Sequence, residues 1–278
     1  MRALLPLCCS FTFLVGCGDN ATVAGRDAYV GGDGGTLSCV PDLDGTIHSR
    51  ELPTVLDTPV GYLINPVGKD RTVDLVGKVD KAGKRVWDFG TDYADDQALK
   101  LAANGLAGKW YALSFSSGSF VSSIDAAQTL DGVYRRDDTG LYLLGIASKT
   151  EAPAEGKTLL VYDAPIKILA FPLAPGARWI SVGNVVGGTI RGLPYAGKDT
   201  YEVEDDGVGR LVLTDFTFEQ AHRVRTKVTV SPAAGAAVSR RQVSWFMECF
   251  GEVARATGKD NDPTVDFTVA AELRRLGQ

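Results

Sequence analysis

Histidine is scarce in this chain of 278 residues, with only His48 and His222, and cysteine stands at five. No Gly-x-Ser-x-Gly elbow, His-Glu-x-x-His pair, Walker loop or Gly-x-Gly-x-x-Gly turn occurs, so none of the common catalytic or phosphate-binding signatures is present. Positive charge is also short. Lys and Arg number 29 against 34 Asp and Glu, a formal net charge of −5, and nucleic-acid binding needs a basic footprint that this balance does not supply. Cys-x-x-Cys spacing is absent, which argues against zinc and redox chemistry. No run reaches the roughly 20 apolar residues of a spanning helix.

The first residues carry one charge, Arg2, followed by an apolar run from Ala3 to Val15 dominated by Leu and Phe. That is the size of the hydrophobic core of a secretion signal. The run ends in Leu14-Val15-Gly16-Cys17, which resembles the bacterial lipobox at all four positions. The resemblance implies cleavage after residue 16, acylation of Cys17 (palmitate among its chains), and a place in the cell envelope. Gly18 stands where the best-known sorting rule has the inner-membrane Asp, so the resemblance further implies the outer membrane. An ordinary secretion signal cut after Gly18 is the alternative. Two buried acyl chains, at about 0.8 kcal/mol per methylene, suffice for stable anchoring.

Cys8 and Cys9 leave with such a signal and Cys17 is consumed by the lipid. Cys39 and Cys249 remain, and two thiols in an oxidising compartment predict a disulfide. Cys249 is placed on the core-facing parity of Val243, Trp245 and Met247.

Three segments follow: a signal over 1–16, a lipidated Cys with a Gly-rich tether over 17–38, and one β-rich domain over 39–278. A flexible tether of that composition spans about 25 Å. The domain opens with a Pro-punctuated stretch containing Pro41, Pro53, Pro59 and Pro66. Asp92 to Asn104 predicts one helix: Asp92 as cap, Asp95 and Asp96 at its positive end, Asn104-Gly105 as stop, and Ala94, Ala98, Leu101 and Ala102 as its buried stripe. From Trp110 onward the period is two, clearest where His222, Val224, Thr226, Val228 and Val230 alternate with Arg223, Arg225, Lys227 and Thr229. Val265, Phe267 and Val269 show the same alternation. Turns are expected at Asp137 to Gly140, Gly187-Gly188, Asp205 to Gly207 and Pro232 to Gly235. The fold class is therefore α+β, mostly β: a curved antiparallel sheet, half-barrel or sandwich-like, with one packed helix. The phrase from Asp206 to Leu213, followed by Phe216, Phe218 and Arg223 to Thr226, resembles uncharacterised secreted and lipid-anchored bacterial β domains. That resemblance covers the last third and carries no activity.

Several residues could carry chemistry. His222 is a general-base candidate, although a lone His on an apolar strand face is more often a satisfied core residue. Arg223, Arg225 and Lys227 could form an anion-binding ridge, but Glu202 and Glu204 on the preceding strand could equally neutralise them. Asp42 to Glu51 resembles the later part of an EF-hand loop, which implies calcium ligation by Asp42, Asp44 and Glu51. Val40 occupies the position of the missing first ligand. Trp87, Trp110, Trp179 and Trp245 would ordinarily fill a core, or line an acyl-chain pocket if the sheet curves strongly. The expectation is a non-enzymatic outer-membrane lipoprotein that binds an apolar ligand or an envelope protein, with no required cofactor. The alternative is a secreted hydrolase with an unrecognised site.

Overall fold

The computed structural model describes residues 39–277. The segments expected to be a signal, a lipidated Cys17 and a tether lie outside the described residues. Seven short strands come first: β1 (Val60–Ile64), β2 (Arg71–Thr72), β3 (Lys78–Val79), β4 (Arg85–Phe89), β5 (Gln97–Leu101), β6 (Asn104–Gly105) and β7 (Phe120–Ser123). Longer ones follow: β8 (Leu130–Asp137), β9 (Gly140–Ser148), β10 (Leu159–Ala170), β11 (Arg178–Ile190), β12 (Leu193–Leu213), β13 (Thr217–Pro232), β14 (Val238–Met247) and β15 (Gly251–Thr257). Two short strands, β16 (Val269–Ala270) and β17 (Glu272–Leu276), complete the set. The domain is mostly β. Its main sheet runs β5-β1-β17-β15-β14-β13-β12-β11-β10-β9-β8-β7-β6, antiparallel along that path, with β4 added parallel to β12.

Alternation explains the pairing. Along β15, Ala254 and Ala256 are buried on one face while Arg255 and Thr257 turn to the other. On the outer face a second layer, formed by β2, β3, β4, β16 and the loop before it, covers β12 to β15. Trp87 and Trp245 meet edge to face there at 5.9 Å, and Phe89 packs on Trp245 at 4.9 Å. Leu211, Leu213, Ala254 and Phe267 complete that core. A smaller cluster of Tyr111, Phe115, Val121 and Val133 covers the outer side of β7 to β9.

The predicted helix over Asp92 to Asn104 is absent: among the described residues only two 3-10 turns occur, Ser49–Glu51 and Ala112–Ser114. Residues 97–101 instead form β5, paired to β1 from Val60↔Leu101 to Ile64↔Gln97. A stripe made mostly of alanine buries too little to fix a helix, whereas Leu99 and Leu101 alternate into a cluster with Tyr62 and Ile64. Asp95 and Asp96 do not serve a helix terminus. They bind Arg71 at 2.7 and 2.8 Å, and Asp96 also pairs with Arg275.

Of the expected turns, Asp137 to Gly140 and Pro232 to Gly235 join strands. Gly187-Gly188 and Asp205 to Gly207 lie inside β11 and β12, as register shifts. Strands this long follow a curved sheet only with such bulges. Phe267 is buried, but Val265 and Val269 are exposed and belong to the covering layer rather than to a main-sheet strand.

The Cys39–Cys249 disulfide is present, with Cα atoms 5.6 Å apart. Cys249 does not continue β14, however. It sits in the turn before β15 at φ 65°, where the backbone leaves the strand and the parity argument no longer applies. The leading segment, residues 39–52, lies across this end of the sheet: Ile47 bridges to Leu173, Ser49 Oγ donates to Asp138 at 2.9 Å, and the Cys249 N–H donates to the Glu51 carbonyl at 2.6 Å.

Candidate functional site

The sheet is not closed, but it curls. Tyr134 on β8 lies within charge range of Glu252 and Arg255 on β15 and Arg274 on β17. Six strands separate β8 from β15 along the sheet, so only curvature brings these side chains face to face. Tyr201 on β12 senses Tyr134 and Arg255, and Tyr62 on β1 senses Glu252, Arg274 and Arg255. A concave face is thereby defined by residues from β1, β8, β12, β15 and β17.

Register extends this face into polar rows. Glu272, Thr257, Gln242, Thr226, Val203 and Trp179 stand opposite one another across six successive strands. The next row on the same face contains Arg274, Arg255, Ser244 and Val224. One end of the concavity is filled by Ile47, Leu169, Phe171 and Leu173 beneath the leading segment. Beside it Leu143, Leu160, Tyr162, Ile166 and Val185 form a second buried cluster, against which Tyr134 and Tyr201 pack.

The chemistry of the concave face is aromatic and charge-balanced. Arg255 holds Glu252 through two bonds, Nε to Oε1 at 2.9 Å and Nη2 to Oε2 at 2.7 Å. Arg274 holds Glu272 at 3.0 Å. Burial lowers the affinity of the Arg255 guanidinium for its proton, but Glu252 and then Glu272 outweigh it and the pKa goes up. Burial pushes the Tyr62 and Tyr134 phenols up to about 12, and Tyr201 also goes up, so all three remain neutral donors and acceptors at neutral pH. Phe120 stacks on Tyr134 at 5.3 Å between ring centroids and 21° between planes. Despite its depth Arg255 keeps 23% of its side-chain surface, and Glu252 keeps 16%. Water therefore reaches the pair.

His222 is buried on β13, with Nδ1 2.8 Å from Asp205 Oδ2. Its Nε2 is buried and reaches no partner, so the pair lacks the hydroxyl or thiol that nucleophilic catalysis would require. The basic ridge is divided among carboxylates. Arg223 binds Asp206 at 2.6 Å, Arg225 binds Asp206 at 2.8 Å and Asp266 at 2.5 Å, and Lys227 binds Glu202 at 2.7 Å. Arg225 and Lys227 border an outer groove of about 530 Å³ with Ile180 and Val265, but the ion pairs leave little attraction for an anion.

Asp42 and Asp44 do come together, with Glu248 rather than Glu51 as the third carboxylate, the three ligand atoms lying within 4.8 Å of one another. Glu51 is buried. Its Oε2 accepts the His48 N–H at 2.8 Å and its Oε1 holds Arg50 at 2.7 Å. Glu248 already accepts the N–H groups of Asp42 and Leu43 at 2.8 and 2.9 Å, and Arg50 reaches Asp42 at 3.2 Å. These are the contacts of a self-satisfied Asp-Gly turn. The tryptophans fill cores or anchor strands: Trp87 and Trp245 are fully buried, and Trp110 and Trp179 donate to the carbonyls of Ser148 and Lys167.

Reading the sequence by motif missed Tyr134, Tyr201, Gln242, Glu252, Arg255 and Arg274. The available signal was the alternation Val253 to Thr257, which puts Arg255 on the parity opposite Ala254 and Ala256. Glu252 shares the alanines' parity and lies across a register shift that the sequence does not announce. No protein-family model, curated protein or solved structure matches the chain.

Proposed function

We propose that this chain is a non-enzymatic lipoprotein of the outer membrane, anchored through Cys17, whose curled sheet holds a ligand on its concave face. One observation carries the binding role: Arg255 and Glu252 lie deep in the fold yet remain water-accessible, ringed by Tyr62, Tyr134 and Tyr201. A concave face with a few convergent polar groups is the usual form of a small-molecule site. The anchor rests on Leu14-Val15-Gly16-Cys17, and the proposal places the body in the envelope without choosing the face of the membrane.

Mass spectrometry of the protein extracted from its native membrane tests both parts. The expected result is an acylated N-terminal Cys17 with a co-purifying small molecule. Cys17→Ser should abolish the acyl mass and membrane fractionation, and unchanged acylation would rule out the site. An extracted protein carrying no ligand, even under gentle ionisation, would count against the binding role.

A further inference from the structure

We infer that the tips of two hairpins, β11–β12 and β13–β14, dock on an anionic phospholipid bilayer, a contact independent of the concave face. The first argument is composition. A turn that faces water is ordinarily built from Gly, Asn, Asp and Ser. The β13–β14 turn instead reads Pro232-Ala233-Ala234-Gly235-Ala236-Ala237-Val238, without one polar side chain, and every residue from Ala233 to Val238 is exposed. The β11–β12 hairpin stands higher. β13 pairs with β12 only as far as Gly197↔Pro232, so residues 193–195 project beyond it, with Leu193 69% and Val186 86% exposed. The Ala233 N–H donates to the Ala196 carbonyl at 2.8 Å, and Val186 and Ala233 border one surface hollow. The two tips therefore form a single apolar projection, and exposed apolar surface of this kind marks a place of contact.

The second argument is charge. Arg191 and Lys198 are exposed beside the projection and make no ion pair among the described residues. Lower on the same strands the cations are neutralised, Lys227 by Glu202 and Arg178 by Glu204. Asp163 borders the same hollow, its carboxylate held by the backbone N–H and the side-chain amide of Asn184, both at 2.8 Å. The adjoining β9–β10 loop, whose Lys157 carbonyl accepts the Gly192 N–H at 2.8 Å, sets Lys149 and Lys157 against Glu151 and Glu155 and leaves the excess of cations unchanged. An apolar tip collared by unpaired cations matches the boundary between acyl chains and anionic headgroups. The third argument is shape. A projection of small side chains needs a matching hollow in a protein partner, whereas a bilayer yields around it.

The test uses the full chain with Leu193→Trp as a reporter at the tip, so that the N-terminal segment, equal in every arm, does not enter the reading. The parent chain supplies the background of the four native tryptophans. In vesicles of phosphatidylglycerol and phosphatidylethanolamine the new indole should emit at shorter wavelength and be quenched by bromine carried on the acyl chains. Lys198→Gln should raise the lipid concentration at half-quenching about fivefold. Val186→Asp combined with Ala234→Asp should abolish the quenching and leave circular dichroism unchanged, since both positions are exposed. Equal quenching in pure phosphatidylcholine would overturn the headgroup assignment. An unquenched indole in both kinds of vesicle would overturn the docking. Emission that shifts with protein concentration before vesicles are added would overturn it too, by assigning the face to a second copy of the chain.

Discussion

Asp199 is buried on β12 and accepts the Tyr162 hydroxyl at 2.6 Å. Burial raises its pKa, and the Tyr162 hydrogen bond only partly offsets that. A carboxyl whose folded pKa lies above its unfolded one contributes stability that is complete below the unfolded value, about pH 4, and is lost as pH rises through the folded value. Asp199→Asn keeps an acceptor for Tyr162 without the ionisation. Its unfolding free energy, measured by urea at acidic and neutral pH, should therefore gain on wild type as pH rises, and parallel profiles would show that Asp199 does not titrate abnormally. At the other end of the sheet, Arg50 already supplies a cation to Asp42, and the Glu248 carboxylate is held by two backbone N–H groups. Thermal midpoints in millimolar calcium and in chelator are expected to coincide. A calcium-dependent rise that vanished in Asp44→Ala would instead establish an occupied site, with Glu248 in place of Glu51.

Among the elements, β5 shows where local signals yield to tertiary ones. The residues Asp92, Asp95, Asp96 and Asn104-Gly105 spell helix boundaries, and that grammar was legible. Nothing local could reveal that Asp96 is claimed by Arg71 on β2 and by Arg275 on β17, some 25 and 179 positions away. Both arginines are buried; Arg71 keeps Asp95, but Asp96→Ala should leave the Arg275 guanidinium with only neutral acceptors and cost about 3 kcal/mol. A urea midpoint within experimental error of wild type would show the pairing to be incidental. By contrast the alternation from His222 to Val230 was readable, since β13 pairs on both sides over that whole stretch. The acidic partners Glu202 for Lys227 and Asp206 for Arg223 and Arg225 were half visible, because cross-strand neutralisation was expected while the bulge that brings Asp206 round was not. The concave site escaped notice for a related reason: parity places Arg255 on a face, but only sheet curvature decides that Tyr134 looks back at it.

For the whole molecule, the Cys39–Cys249 link ties positions 210 apart. In the chain-entropy account so long a loop gives roughly 5 kcal/mol, an upper figure. Cys249→Ser should lower the unfolding free energy by up to that amount and free the leading segment to proteolysis near Ile47. Equal protease resistance in the variant would mean that the hydrophobic contacts of Ile47 with Leu173 and Phe171 hold the segment unaided. That much of the molecule was foreseeable from cysteine bookkeeping alone. Strand order was not, and it sets a clock. β17, the last strand in sequence, lies between β1 and β15, so the edge pair β1–β5 has no attachment to the rest of the sheet through backbone bonds until residues 272–276 are in place. A chain emerging amino end first can mature the hairpins from β8 to β15 early, while its earliest strand waits for its latest. Folding rate should therefore be governed by this final stitch, and the unfinished edge of β15 is the surface that a chaperone or a neighbouring chain would meet during the delay.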